Sequence, residues 1–215
     1  MTSFIAELEA FKTERLAPII DAGRLSLDGD ASGDPAALLR VALANEISVS
    51  DLAAVWIPTT TEVDVKIAFA RQAGDEANHF MLVGDRLTAL GVDVAAWTPP
   101  PDNPLFAYMK QLSTTVERIA AGLFTLESIA FGVNENFMAL CEQRGDLETV
   151  RIYREYIQPD EKAHQLLGQR LLAKYATTDA LQAIARETVR KVLEIAQITR
   201  ANAAEKFGTA CLPGC

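Results

Sequence analysis

The chain has only two histidines, His79 and His164. Each closes the same five-residue pattern, Asp75-Glu76-Ala77-Asn78-His79 and Asp160-Glu161-Lys162-Ala163-His164. From the chain's Asp and Glu content, that acidic pair would precede a given histidine by chance in ~1 case in 200. Its presence before both points to one chemistry used twice. On a helix, Glu and His three residues apart lie on one face, one turn apart, so both reach the same metal ion. Two ligands are too few to hold an ion. Neighbouring helices must supply further carboxylates.

Where those carboxylates stand follows from the turns. In an antiparallel helix pair, residues equally distant from the turn lie at the same height. Glu46 and Glu76 are centred on residue 61, inside the Thr59-Thr60-Thr61 break, and Glu127 and Glu161 on residue 144, beside Gly145. Glu127 is preferred to Glu135 because it lies in an otherwise apolar stretch, GLFTLESIAFG; Glu46 has similar surroundings, while Glu62 and Glu117 read as exposed. The expected ligand set is therefore Glu46, Glu76, His79, Glu127, Glu161 and His164.

The elements that must position these residues read as helices, because apolar residues recur at the 3.6 period and strand signals are scarce. The expected segments are 3–24, a second from Pro35 to about Ile57 with Asp34 as cap, and a third from a Thr61 cap to Leu90. A fourth runs from Pro104 to about Gln143, a fifth from the Gly145-Asp146 turn to Tyr175, and a sixth from 178 to 207, closed by Gly208. A helix of 30 residues is ~45 Å long. The 13-residue Pro-rich connection from Gly91 to Asn103 spans roughly 43–47 Å when extended. It can return along the bundle, so that the third and fourth helices run parallel. No linker divides the chain, which reads as a single all-α domain.

This arrangement resembles the ferritin-like di-iron carboxylate superfamily, in which one Glu from each of two helices joins a Glu-x-x-His from each of two others. The resemblance covers roughly residues 35–175 and carries the metal-ligand roles onto the six residues named above. It implies a four-helix bundle with a long crossover between its second and third helices, flanked by additional N- and C-terminal helices. It also implies two iron ions, with manganese as the alternative, and Glu76 and Glu161 as bridging carboxylates. Asp75 is then expected to accept a hydrogen bond from His164, and Asp160 from His79, fixing each imidazole for its metal.

Four inward glutamates without counter-charge would be unstable, since each unpaired buried charge costs several kcal/mol; two divalent ions would balance them. The expected activity is that of an oxygen-activating oxidoreductase, an oxygenase or oxidase. It would take dioxygen or peroxide, a small apolar substrate and electrons from a separate donor. The alternatives are ferroxidase and iron storage, rubrerythrin-like peroxide reduction, or metal binding without catalysis. A net charge of −9 argues against nucleic acid as a partner. The absence of a long uncharged apolar run argues against a membrane. With 49% hydrophobic residues the chain is no disordered segment. Three cysteines and an acidic N-terminus fit a reduced cytoplasmic protein, with a homodimer as the expected assembly.

Several further residues are read in two ways. Pro159 removes a helical hydrogen bond from the Glu155 carbonyl, as a kink that shapes the site or as a bend of no consequence. Tyr153 and Tyr156 read as packing or surface residues before a radical role. Phe80, Phe124 and Phe131 read as core before a pocket wall. The irregular 209–215 segment reads as a mobile tail, with Cys211 and Cys215 as incidental thiols.

Overall fold

A computed structural model describes residues 3–29 and 33–214. Among these residues every regular element is helical and there is no strand. The elements are α1 (Phe4–Asp28), α2 (Pro35–Trp56), α3 (Val63–Ala89), α4 (Pro104–Met109), α5 (Thr115–Ile119), α6 (Glu127–Gln143), α7 (Leu147–Ile152), α8 (Gln158–Tyr175) and α9 (Asp179–Phe207). Two π-helical segments, Ala120–Leu126 and Tyr153–Ile157, join α5 to α6 and α7 to α8, so that two long rods, 115–143 and 147–175, result. No helix among the described residues is long and apolar enough to cross a membrane.

Side-chain caps explain most of the boundaries. Ser3, Asp34, Asn103, Asp146 and Thr178 each accept a hydrogen bond from a backbone N–H of the first turn that follows. Gly91 and Gly145 take positive φ, 82° and 77°, where the chain must leave α3 and reverse after α6. Thr61 caps nothing: α3 starts after Glu62 without a side-chain cap. Its neighbour Thr60 instead donates to the Trp56 carbonyl at 2.8 Å and so ties off the end of α2.

The fourth expected helix is broken. It stops at Met109, and a capping box of Thr114 and Glu117 restarts it at Thr115. Arg118 makes the break stable. This buried guanidinium donates to the Leu112 carbonyl at 3.1 Å and to Thr60 Oγ1 at 3.2 Å, groups that no helix serves. The first helix also runs beyond the expected residue 24, to Asp28.

Contacts at the helix ends fix the relative directions. Thr115 donates to Glu62 at 2.5 Å, beside the start of α3, and Arg86 near the end of α3 donates to Asp146 at 2.6 Å, beyond the end of α6. The 115–143 rod therefore runs parallel to α3. Tyr175, at the end of α8, donates to Asp64 at 2.5 Å near the start of α3, so α8 runs opposite. The Gly91–Asn103 connection lies back along α3, with Trp97 packed on Phe80 at 5.6 Å between ring centroids.

The apolar core falls into two clusters. One holds Val49, Leu52, Trp56, Phe69, Phe124 and Leu172; the other holds Leu39, Leu43, Val83, Leu87, Phe137 and Tyr153. On α2, on α3 and on the 147–175 rod the change from one cluster to the other comes at Glu46, at Glu76 and His79, and at Glu161 and His164, whereas on α6 it comes past Glu127, between Val133 and Phe137. On three of the four rods a polar layer thus divides the core where the expected ligands stand.

Candidate metal centre

The structure brings all six residues together. Glu46, Glu76, His79 and Glu161 form one group, and Glu76, Glu127, Glu161 and His164 a second; within each, one donor atom per residue lies within 4.8 Å of the others. Glu76 and Glu161 belong to both. None of the six is more than 4% exposed, so water cannot solvate these charges. Glu135 is exposed and accepts from Gln158 instead. Glu62 and Glu117, expected to be exposed, are half-buried and engaged with Thr115 and Thr114.

Glu76 faces both histidines with different oxygens. Its Oε2 lies 3.4 Å from His79 Nδ1, and its Oε1 lies 3.6 Å from His164 Nδ1. Glu46 lies 3.6 Å from His79 Nδ1, and Glu127 3.6 Å from His164 Nδ1. The far nitrogens point outward. His79 Nε2 meets Asp160 at 3.2 Å and His164 Nε2 meets Asp75 at 2.9 Å. Each aspartate belongs to the helix opposite its histidine, so the two pairs tie α3 to α8, and both Nδ1 atoms are left facing the carboxylates.

Those inward atoms have no hydrogen-bond partner. Both oxygens of Glu76, one oxygen each of Glu127 and Glu161, and the Nδ1 atoms of both histidines are buried and unpaired. A buried polar atom left unpaired costs about 1–3 kcal/mol, and six at one place need a further reason. In the metal-free protein, protons relieve part of the charge. Burial, together with the charge of Glu127, pushes the carboxyls of Glu76 and Glu161 well above the usual range. Burial opposes the same rise at Glu127, yet its contacts with Glu161, His164 and Gln72 hold it below that range. Burial also disfavours the imidazolium forms, but Glu46 and Glu76 outweigh it and push His79 up to about 11. Glu127 and Glu76 do the same for His164, to about 9.

The backbone adapts to place the second group. The Glu127 N–H bonds to the carbonyl of Gly122, five residues back, and the Gln158 N–H to that of Tyr153. The second widened turn stands directly before Pro159, where the α-helical ladder is already reset, so the structure shows a π-helical widening at the expected kink. Gly168 permits the close approach that follows. A Cβ there would lie 2.7 Å from the backbone of Leu123 and Phe124, so α8 touches the π segment main chain to main chain.

Residues beyond the six also take part. Gln72 is buried and donates from Nε2 to Glu127, while its Oε1 has no partner. Its position four residues before Glu76, on the same helix face, was the sequence signal for it. Lys12, only 1% exposed, bonds Ser128 at 2.7 Å and reaches the Phe124 carbonyl at 3.5 Å; nothing in the motif announces it. The tyrosines follow expectation, Tyr153 packing edge-on against Phe137 at 5.1 Å and Tyr156 exposed. Phe124 and Phe131 each carry a lysine over the ring, Lys12 at 4.0 Å and Lys162 at 5.2 Å.

The 209–214 segment is irregular, as expected, but it is no loose tail. Residues 211–214 are all buried, with Cys211 at 0% exposure. Burial pushes the Cys211 thiol up and that of Cys141 to about 12, which leaves both unreactive. Cys215 lies outside the described residues.

Residues 36–205 match a family described as "Protein of unknown function (DUF455)". The chain belongs to the DUF455 family. The match includes all six clustered residues and runs from α2 to within two residues of the end of α9. It leaves out α1, and with it Lys12, and the 209–214 segment. No curated protein and no solved structure matches the chain.

Proposed function

We propose that this DUF455 protein is a dinuclear metal carboxylate protein of ferritin-like topology and acts as an oxygen-activating oxidoreductase. The observation that carries the reading is the pair of overlapping ligand groups, with their unpaired atoms turned toward each other. Glu46, Glu76, His79 and Glu161 would hold one ion, and Glu76, Glu127, Glu161 and His164 the other. Two divalent ions match the charge of four glutamates and give each orphaned atom a partner, so the donor set fits the group.

Carboxylate and imidazole donors suit iron and manganese, and four ligands per ion, two of them shared, leave positions free for a small molecule. A ferrous pair bound here would supply electrons for the reduction of dioxygen or peroxide. The protein's own part is to orient and to exclude water. Asp75 and Asp160 hold the imidazoles with Nδ1 inward, Gln72 holds Glu127, and the two apolar clusters above and below keep the layer dry. The ferritin-like topology is supported by the antiparallel α2–α3 pair, the return of the Gly91–Asn103 connection along α3, and the parallel run of α3 and the 115–143 rod.

Elemental analysis of protein purified without chelator, followed by anaerobic ferrous reconstitution and exposure to dioxygen, tests the reading. It expects two irons per chain and dioxygen consumed in proportion to ferrous iron. Two manganese per chain would redirect it to peroxide chemistry. Binding of two metals without any dioxygen or peroxide consumption would remove the oxidoreductase part, and no metal after reconstitution would remove the whole.

A further inference from the structure

The two faces of the centre are closed in different ways. On the α3–α8 face, the Asp160–His79 and Asp75–His164 pairs lock the helices together. The opposite face lies between α2 and the 115–143 rod, which supply only Glu46 and Glu127. The 209–214 segment bridges these two elements there. Asn45, next to Glu46, donates to the Pro213 carbonyl at 3.4 Å, and the Gly214 N–H donates to Asn134 at 2.8 Å. Asn134 stands seven residues past Glu127, ~10 Å along the helix.

We propose that residues 209–214 form a strap that controls passage of small molecules to the metal centre between α2 and α6; the inference rests on the metal reading above. The manner of attachment suits a part that opens. The strap has no secondary structure of its own, and side chains of other elements hold it largely by its backbone. Arg200 on α9 donates to the carbonyls of Leu212 and Gly214, the latter at 3.0 Å, and Ser26 on α1 accepts from the Ala210 N–H at 3.2 Å. Its apolar anchors are Cys211 and Leu212. Seven hydrogen bonds to other elements, the Thr209–Ser26 and Cys211–Gly23 contacts among them, hold the segment, but with no helical ladder of its own it opens more often than the helices around it. The strap also lies outside the part of the chain that matches DUF455.

Gly214 offers a way to lift it. This residue has φ +71° and a Cβ there would lie 3.2 Å from Asn45, so Gly214→Val strains the strap twice, in its backbone and against α2. Arg200→Ala removes two of its holds, and Ser26→Ala is a milder third variant. The probe is cobalt(II) loaded into the full-length protein, with its release into excess EDTA followed by absorbance. Gly214→Val and Arg200→Ala should each release cobalt about tenfold faster than the parent, with two cobalt per chain still bound at equilibrium. Ser26→Ala should fall between. Arg86→Ala, which breaks the ion pair to Asp146 and leaves the strap untouched, should keep the parent rate. Unchanged release in the strap variants, or equal acceleration in Arg86→Ala, overturns the strap and leaves the metal reading standing. A parent that binds no cobalt overturns both.

Discussion

Glu46, Glu76 and His79 stand on α2 and α3, two uninterrupted α-helices, whereas Glu127, Glu161 and His164 stand on rods that each widen into a π-helical segment. The two halves carry the same Asp-Glu-x-x-His pattern and bring their residues to the same layer. The second half needs more support to do so. Ser128 donates to the Phe124 carbonyl in the widened turn at 2.6 Å, and Lys12 reaches the same oxygen from α1. Gly168 then lets α8 approach to main-chain contact. One motif thus rests on two kinds of scaffold, a regular pair in which helix periodicity places the clustered residues and a distorted pair in which local exceptions place them.

The largest effects separate shared from unshared ligands. Glu76→Ala or Glu161→Ala should lose both ions, because each residue belongs to both groups. Glu46→Ala and Glu127→Ala should each lose one ion preferentially, the first from the regular half and the second from the distorted half. Metal per chain after gel filtration reads this directly. Equal loss in all four variants would mean that the ions bind only as a pair. His79→Ala and His164→Ala should likewise abolish paired binding while helical content by circular dichroism largely survives. Next come Asp75→Asn and Asp160→Asn, which keep the size of the side chain but weaken its hold on Nε2–H. Each should lower metal affinity by about 10- to 100-fold. Because the aspartates are crossed, Asp75→Asn should weaken the His164 ion and Asp160→Asn the His79 ion.

The same contrast shows what was legible in the sequence. The six clustered residues and the all-helical framework around them could be read because ligand chemistry demands particular residue types at helical spacing, and turns announce themselves with Gly, Pro and capping residues. The π segments could not be read so. An extra residue in a helical turn leaves the composition of AAGLFTL and YREYI ordinary, and only Pro159 hinted at one of them. The break at Lys110–Thr114 was hidden because Arg118, whose long-range bonds satisfy it, looks like any helical arginine. The burial of Cys211 was hidden for a similar reason: most of the strap's partners, Gly23, Ser26, Asn45 and Asn134, lie far from it along the chain. Local patterns were visible, and long-range side-chain to backbone contacts were not.

Protons should trade with metal at this site, and the direction follows from the shifts. His79 and His164 lie at about 11 and about 9 in the metal-free fold, above the ~6.5 of an unfolded imidazole. A raised value means that the folded state holds its proton more tightly, so this stabilisation is full below pH ~6.5 and fades as the pH rises through 9 and then 11. The raised carboxyls of Glu76 and Glu161 act in the same direction. The lowered Glu127 matters only in acid and does not offset them. The metal-free protein should lose up to about 1.4 kcal/mol per pH unit for each histidine proton retained between pH 7 and 9. The metal-loaded protein should show no such fall, since its ligands carry no protons to lose. Thermal melts of both forms across that range check this. Parallel curves would mean that the histidines are neutral without metal.

Two glycines test the scaffold contrast at smaller scale. Gly168→Ala places a methyl group against the backbone of Leu123 and Phe124, atoms that cannot rotate away, and should destabilise the fold by about 1–3 kcal/mol. It should also weaken the Glu127–His164 ion more than the other, because it spreads the helices that carry those ligands. Gly74 sits in the regular half, in the middle of α3, one residue before Asp75. A Cβ there meets nothing within 4 Å, and its helical backbone suits alanine without strain. Gly74→Ala should therefore stabilise the protein by about 0.5–1 kcal/mol, through the better helix propensity of alanine and the smaller entropy of the unfolded chain, and leave metal content unchanged. Denaturant melts of the two variants against the parent measure both shifts. A loss on Gly74→Ala as large as that on Gly168→Ala would mean that α3 too depends on a close approach at its glycine, and the division between a regular and a distorted half would no longer hold.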